Sequence, residues 1–494
     1  MDHGGTASHG ATVAIERALP LWPAKLLLFT LTMPFFFQIG PLLLTADRFF
    51  LLAAFVPFFV FWLSGRAGPI HFADIAILSL WSWQTISTIV TDGAAVAIEA
   101  SGVNMLETLG AYFVARCLIR DADAFFEIVR FLFRIILVLL PFAIFETLTG
   151  QNLLLDTANK IWPSYGDVPK EERLGLDRVA LVFHHPILFG VFCGSCFALS
   201  YYVLGYGSSR LMRALRTATV GFTAFLALSS GPLAALLAQS VLMAWDQVLK
   251  SVRYRWKLLS GGVIFFWVSL EIAASRSVPE LFISAFAFNK STAYNRIRIW
   301  RYGTQSVAEH PWFGIGRSIE WQRPWWMSDS MDMFWLVPAV RYGLPAGLLL
   351  HATFLGVFLA VAFKRDLDER TSAYRTGFLI CLMGFYLAGW TVHYWKVIYV
   401  LFIFLLGSGV WILTAQERPG STPLPKRKPI LSGRVAPAYR RQTIELDVPA
   451  EVRHPLARNH GSQKSTGTSS VEGPKRFSRS FELSERNSLS RNLE

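Results

Sequence analysis

The sequence predicts an all-α polytopic membrane protein with about twelve transmembrane helices, and three observations carry that class. First, 53% of the 494 residues are hydrophobic and only 16% are charged, against roughly a quarter charged in an ordinary soluble domain. Second, the deficit of charge is concentrated in long apolar runs, several near the roughly 20 residues that a helix needs to cross a bilayer. Third, those runs lack the alternation of apolar and polar positions that marks barrel strands. Backbone groups in lipid must be satisfied within the chain, so the runs read as helices.

In order, the runs lie at about 25–45, 49–64, 70–90, 95–118, 125–145, 178–204, 215–229, 232–249, 257–274, 333–362, 374–391 and 395–414. The fourth is the weakest, because Glu99, Asn104 and Glu107 interrupt it. The first shows no small-residue cleavage pattern and reads as a retained anchor. No internal repeat is evident. Cations fall in alternate loops: Arg66; Arg116 and Arg120; Arg210, Arg213 and Arg216; Lys250, Arg253, Arg255 and Lys257; Lys364, Arg365, Arg370 and Arg375. The positive-inside rule makes those loops cytoplasmic. Both termini are then cytoplasmic, 1–24 preceding a membrane domain at 25–414, and the large loops 146–177 and 275–331 face outward.

Residues 415–494 are rich in Pro, Ser, Arg and Lys and cannot build a core. They carry about half of the net charge of +13, and from Arg418 to Arg441 there are seven Lys or Arg and no acid. That run suits attraction to anionic inner-leaflet lipid, or equally a solvated tail. The surplus charge is read as a membrane-surface feature, with no nucleic-acid partner.

Against this rule, the outer stretch 291–316 holds Arg296, Arg298 and Arg301. A helix over 291–304 sets Arg296 and Trp300 on one face, with Arg298, Arg301 and Tyr302 on the other. Arginine offers a planar, permanently charged fork suited to phosphate. The phosphates abundant outside the cytoplasm and close to a membrane belong to lipid head groups and diphosphate-linked lipid carriers. The same residues also suit an interfacial belt. Pro311 and Gly314-Ile315-Gly316 end the segment as a turn.

A second cation, Arg178, opens the sixth run, with His185 nearly in line on a helix and Pro186 inviting a break. The pair suits either a polar cavity or an interfacial position. Asp332 and Trp335 share a helix face at the mouth of the tenth run, with Arg341 nearly opposite. Asp332 reads as a base acting on a sugar hydroxyl or, with Asp329 and Ser330, as a helix N-cap. His185, Trp300, Trp335 and Arg276 are the candidates for lining a cavity. Cys193-Gly-Ser-Cys196 has redox or metal spacing but sits in FGVFCGSCFALS and reads as buried packing. No metal, cofactor or disulfide framework is expected.

These elements in this order resemble the O-antigen ligase and O-antigen polymerase family of bacterial envelope proteins. The residues carrying the likeness are Arg178, Phe183 and Pro186; Arg296 to Trp300; Pro311, Gly314 and Gly316; and Asp332 through Gly343 and Gly347. Phe-Glu-x-x-Thr-Gly at 145–150 resembles the lead-in to the family's first large loop. The likeness spans roughly 25–414. It implies a membrane glycosyltransferase of the C type at the bacterial inner membrane, acting on undecaprenyl-diphosphate-linked glycan without metal. Arg178, Arg296, Arg298 and Arg301 would hold the diphosphate, and Asp332 would orient or deprotonate the acceptor hydroxyl. The implied partners are the lipid-linked donor, an acceptor glycan, membrane lipids and a chain-length regulator. Ligases of the family typically carry histidine where this chain has Asp332, which favours polymerisation of a surface or exopolysaccharide repeat unit. The alternatives are ligation to a lipid A core or other acceptor, and transport of polysaccharide or lipid carrier. A transporter should show repeat symmetry, which this chain lacks.

Overall fold

The structure, a computed structural model, describes residues 19–39, 42–164, 166, 170–273, 281, 290–317 and 320–415. Arg276 and the basic tail beyond residue 415 lie outside them. The fold is predominantly helical, with one antiparallel hairpin among the described residues. Among the described residues, four helices are long and apolar enough to cross a membrane: Ala46–Leu63, Ala122–Thr149, Arg255–Ala273 and Leu344–Phe363. The last of the expected runs forms the helix Val397–Ser408, buried at every residue but Tyr399. A helix apolar all round belongs in a core, and this one packs against Ala111–Leu118.

The expected row of twelve continuous spans is corrected at several places. The first run is a helix only over Trp22–Thr30. Pro34, which cannot donate a helix hydrogen bond, lies in the break before strands Phe36–Ile39 and Leu42–Thr45. The fourth run is split by a π-helical turn at Leu106–Gly110. Such bulges reorient side chains locally, and here Glu107 meets Arg48 at 2.7 Å. The sixth run is non-helical from Arg178 to His185, then forms the short helices Pro186–Gly194 and Phe197–Tyr202. Pro186 therefore starts a helix in the first-turn position, where its missing N–H is harmless, rather than breaking one. The tenth run divides at Gly343 into Val337–Tyr342 and Leu344–Phe363.

Close helix approaches run through small residues. A Cβ on Gly407 would stand 2.9 Å from the Tyr112 carbonyl, and one on Gly377 would stand 2.7 Å from the Tyr202 side chain. Backbones brought together this way gain dispersion contacts, the main attraction between helices where lipid is as apolar as the side chains. Cations of the alternate loops are tied down at helix ends. Arg116 donates to the carbonyls of Ala67 and Pro69 at 2.6 and 2.8 Å, Arg255 pairs with Asp246 at 2.8 Å, and Arg370 pairs with Asp123 at 2.7 Å.

Candidate functional site

Arg178 is presented by a clamp built from the end of the helix Ala122–Thr149. The helix stops at Gly150, whose φ of 70° permits the left-handed cap. Glu146, fully buried in the last turn, accepts the backbone N–H groups of Ala180 and Leu181 at 3.1 and 2.9 Å. It also pairs with Lys170 at 2.5 Å. Thr147 donates its hydroxyl to the Asp177 carbonyl at 2.7 Å, and Asn152 donates its amide to the Leu181 carbonyl at 2.7 Å. One short motif thus holds 177–181 in place without helical geometry, satisfying a buried backbone through side chains. Arg178 itself is 7% exposed. One guanidinium nitrogen, Nη2, donates to Ser229 Oγ at 2.6 Å, while its Nε is buried with no partner.

Arg296 comes from the helix Lys290–Glu309, which has two distinct faces. Ile297 and Ile299 are buried with Trp321, Met333 and Leu336, and Arg296 is buried at 5% exposure. Its Nη1 has no partner. Arg298 and Arg301 lie on the exposed side, and Arg298 stacks over the Trp326 ring at 4.7 Å. The turn that follows docks through its backbone: Ile315 and Gly316 donate to the carbonyls of Val340 and Arg341 at 3.0 Å each, and Leu344 donates to Pro311 at 2.8 Å. Gly314 has a φ of 65° and is so close to that strand of backbone that a Cβ would stand 2.5 Å from the Val340 carbonyl oxygen. This packing accounts for the glycines of the turn.

Arg173 links the two buried arginines. Its Nη1 donates to the Leu228 carbonyl at 3.0 Å, and its charge reaches both Arg178 and Arg296. None of these groups lies on the four long apolar helices. Burial is the main cause lowering the pKa of each buried arginine to about 10, and the charge of Arg173 adds to it. Asp332 opposes that shift at Arg296. Burial in turn raises the Asp332 carboxyl above its ordinary range, against the hydrogen bond from Ser330 at 2.8 Å and the Arg296 charge. His185 is lowered to about 4 by burial and then by Arg178, Arg173 and Lys170. It is neutral near pH 7, and its Nδ1 caps the helix Pro186–Gly194 by accepting from Ile187 at 3.1 Å.

The charge of Arg173 thus acts on Arg178, Arg296 and His185, and that of Asp332 acts on Arg296, linking residues from three parts of the chain. The structure also changes several readings. Asp332 is not a helix cap, because the next helix starts at Val337 with Leu336 at its N-cap and no side-chain cap. Asp332 and Trp335 do not share a helix face, since both precede that helix. Trp335 is 2% exposed and donates to the Tyr386 carbonyl at 2.8 Å, which places it in the aromatic core with Phe354 and Phe402. Arg178 and His185 do not lie on one helical stripe, because 178–185 is not helical. Trp300 packs edge-on against Trp390, with ring centroids 5.9 Å apart.

Sequence reasoning passed over Lys170 and Arg173, although both break the positive-inside pattern as plainly as Arg296 does. It also passed over a cavity of about 370 Å3 lined by Arg48, Glu107, Arg317, His393 and Lys396. Lys396 lies 2.7 Å from His184 Nε2, which joins this cavity to the segment carrying Arg178 and His185. All four cysteines are buried as free thiols. No group of metal ligands is found among the described residues. Compared with known proteins, the chain matches no family model and no curated protein.

Proposed function

We propose that this chain is a membrane glycosyltransferase that polymerises lipid-diphosphate-linked glycan units at the outer face of a bacterial inner membrane. The observation that carries the reading is a pair of buried arginines, Arg178 and Arg296, each with an unpartnered guanidinium nitrogen and each within reach of the Arg173 charge, with the Asp332 charge acting on Arg296. A buried charged donor without an acceptor costs about 1–3 kcal/mol or more, and like charges close together add to that. A diphosphate supplies acceptors and counter-charge at once. The resemblance to the O-antigen ligase and polymerase family points to the same substrate class and to an undecaprenyl carrier.

In the proposed step the acceptor hydroxyl oxygen bonds to the anomeric carbon of the donor as the bond from that carbon to the diphosphate oxygen breaks. The electron pair leaves on the diphosphate, where fixed guanidinium groups stabilise it. The hydroxyl proton passes to Asp332. A raised pKa suits that role, because a more basic carboxylate takes a proton more readily. Asp332→Asn is expected to bind undecaprenyl diphosphate like the wild type and to lose at least about 100-fold in turnover. The wild type should gain activity with rising pH through a limb displaced above that of an ordinary aspartate, as the carboxyl ionises. Near-normal turnover by Asp332→Asn would remove the residue from the mechanism.

The arrangement requires 146–177 to be outside the cytoplasm. Because the native cysteines are buried, a cysteine introduced at Ser164 should be labelled by an impermeant reagent in intact spheroplasts. One introduced at Ser251, between Lys250 and Arg253, should be labelled only after lysis. The reverse pattern would invert the topology and place the arginines on the wrong face for an outward-facing carrier.

A further inference from the structure

The cavity lined by Arg48, Glu107, Arg317, His393 and Lys396 includes none of the arginines proposed to hold the diphosphate, and its chemistry differs from theirs. Three cations and one carboxylate are among its walls. Arg48 and Glu107 meet at 2.7 Å and offset each other. Arg317 is different: Asp92 takes its backbone N–H at 2.9 and 3.1 Å, and the guanidinium has no hydrogen bond or ion pair among the described residues. Lys396 Nζ lies 2.7 Å from His184 Nε2. Its backbone has a φ of 47° and ψ of −117°, a region that residues other than glycine rarely occupy. Strain of this kind persists where the surroundings over-determine a position and is concentrated at functional sites.

The remaining walls are those of a polyol site. Asn104 and Gln84, hydrogen-bonded to each other at 2.5 Å, line it with amide groups, and Tyr342 and Trp395 add aromatic rings to the lining. His393 contributes a buried Nδ1 with no partner. Arg48 is committed to Glu107, which leaves Arg317 as the forked donor for a ligand, suited to a single carboxylate rather than to the several oxygens of a diphosphate. The position is adjacent to the donor group, since Lys396 touches His184 and the next residue, His185, lies beside Arg178 and Arg173.

We infer that this cavity holds the acceptor glycan and selects one carrying a carboxylate, with Arg317 and Lys396 as the groups that read the acidic sugar. The inference rests on the proposed transferase reading for the word acceptor, but the binding it describes can be measured by itself. The test uses the full-length protein in nanodiscs. Its probes are a glucuronic-acid-containing disaccharide, the same disaccharide with its carboxyl reduced to the alcohol, and undecaprenyl diphosphate. The acidic disaccharide is expected to bind about 10- to 100-fold more tightly than the reduced one, as loss of a charge-assisted contact implies. Arg317→Gln should remove most of that preference, and Arg317→Lys should restore part of it. Both variants should bind undecaprenyl diphosphate as the wild type does and melt at the same temperature.

Equal binding of the two disaccharides by the wild type would overturn the inference, as would an Arg317→Gln variant that keeps the preference. Binding of the acidic disaccharide without binding of undecaprenyl diphosphate would sustain the acidic-glycan site and sink the transferase reading instead.

Discussion

Arg296→Met should weaken binding of undecaprenyl diphosphate by about 10- to 150-fold, the loss of a charged, hydrogen-bonded contact of about 1.5–3 kcal/mol. It should do so without destabilising the protein. Arg296 is 5% exposed, has an unpartnered Nη1, and lies within reach of the Arg173 charge. Replacing a strained, buried cation by an apolar side chain of similar length removes a desolvation cost and is often neutral or stabilising. An arginine serving only the fold would behave in the opposite way, losing thermal stability while leaving the affinity unchanged. Affinity and melting temperature measured on the same preparation therefore separate the two roles. A variant with wild-type affinity would return Arg296 to the structural framework.

Glu146→Ala should have the largest effect on the fold of any single change near the site. Glu146 is fully buried and satisfies Lys170 and the N–H groups of Ala180 and Leu181. Its removal takes a buried carboxylate from Lys170 and leaves two unpaired buried donors, for which a cost of about 3–5 kcal/mol is expected. The loop carrying Lys170, Arg173 and Arg178 should loosen before the helical core does. Limited proteolysis should cut within 170–178 in the variant and spare that segment in the wild type, alongside a fall in melting temperature. Unchanged protease resistance would show that the clamp is held by Thr147 and Asn152 without the carboxylate.

Much of the architecture was legible because apolar runs of bilayer length have few alternatives to helix. What could not be read was where such a run stops being regular. Leu26 to Thr45 is uncharged and largely apolar, yet it is divided between a helix and a hairpin near Pro34. Arg178 to Tyr202 reads as one span, yet its first eight residues are fixed in an irregular path by Glu146, a partner 34 and 35 residues away in the chain at Ala180 and Leu181. Periodicity reports local preference and carries no information about such distant acceptors.

The candidate site shows the same division. Arg296 and Asp332 stood out as charges in places where charge is unexpected. Arg298 belonged to the same cluster in sequence, but the helix turns it outward to Trp326. Arg173 lay in a loop with no periodic pattern to give it a direction, and only the fold sets it beside Arg178 and Arg296. Lys396 and His393 lay in a short link between apolar runs. Their place in a cavity follows from the packing of Val397–Ser408 against distant helices, which no local motif records.

The central claim is transfer of glycan between lipid-linked units, with the buried arginines holding the departing diphosphate. The measurement closest to it follows purified protein in liposomes supplied with an undecaprenyl-diphosphate-linked oligosaccharide, resolving glycan length and free undecaprenyl diphosphate over time. The wild type should convert single units into carrier-linked dimers and longer chains, releasing one undecaprenyl diphosphate for each new linkage, while Arg296→Met and Asp332→Asn should leave single units unchanged. Translocation of intact single units across the bilayer with no new linkage, or dimer formation by Arg296→Met at the wild-type rate, would contradict it.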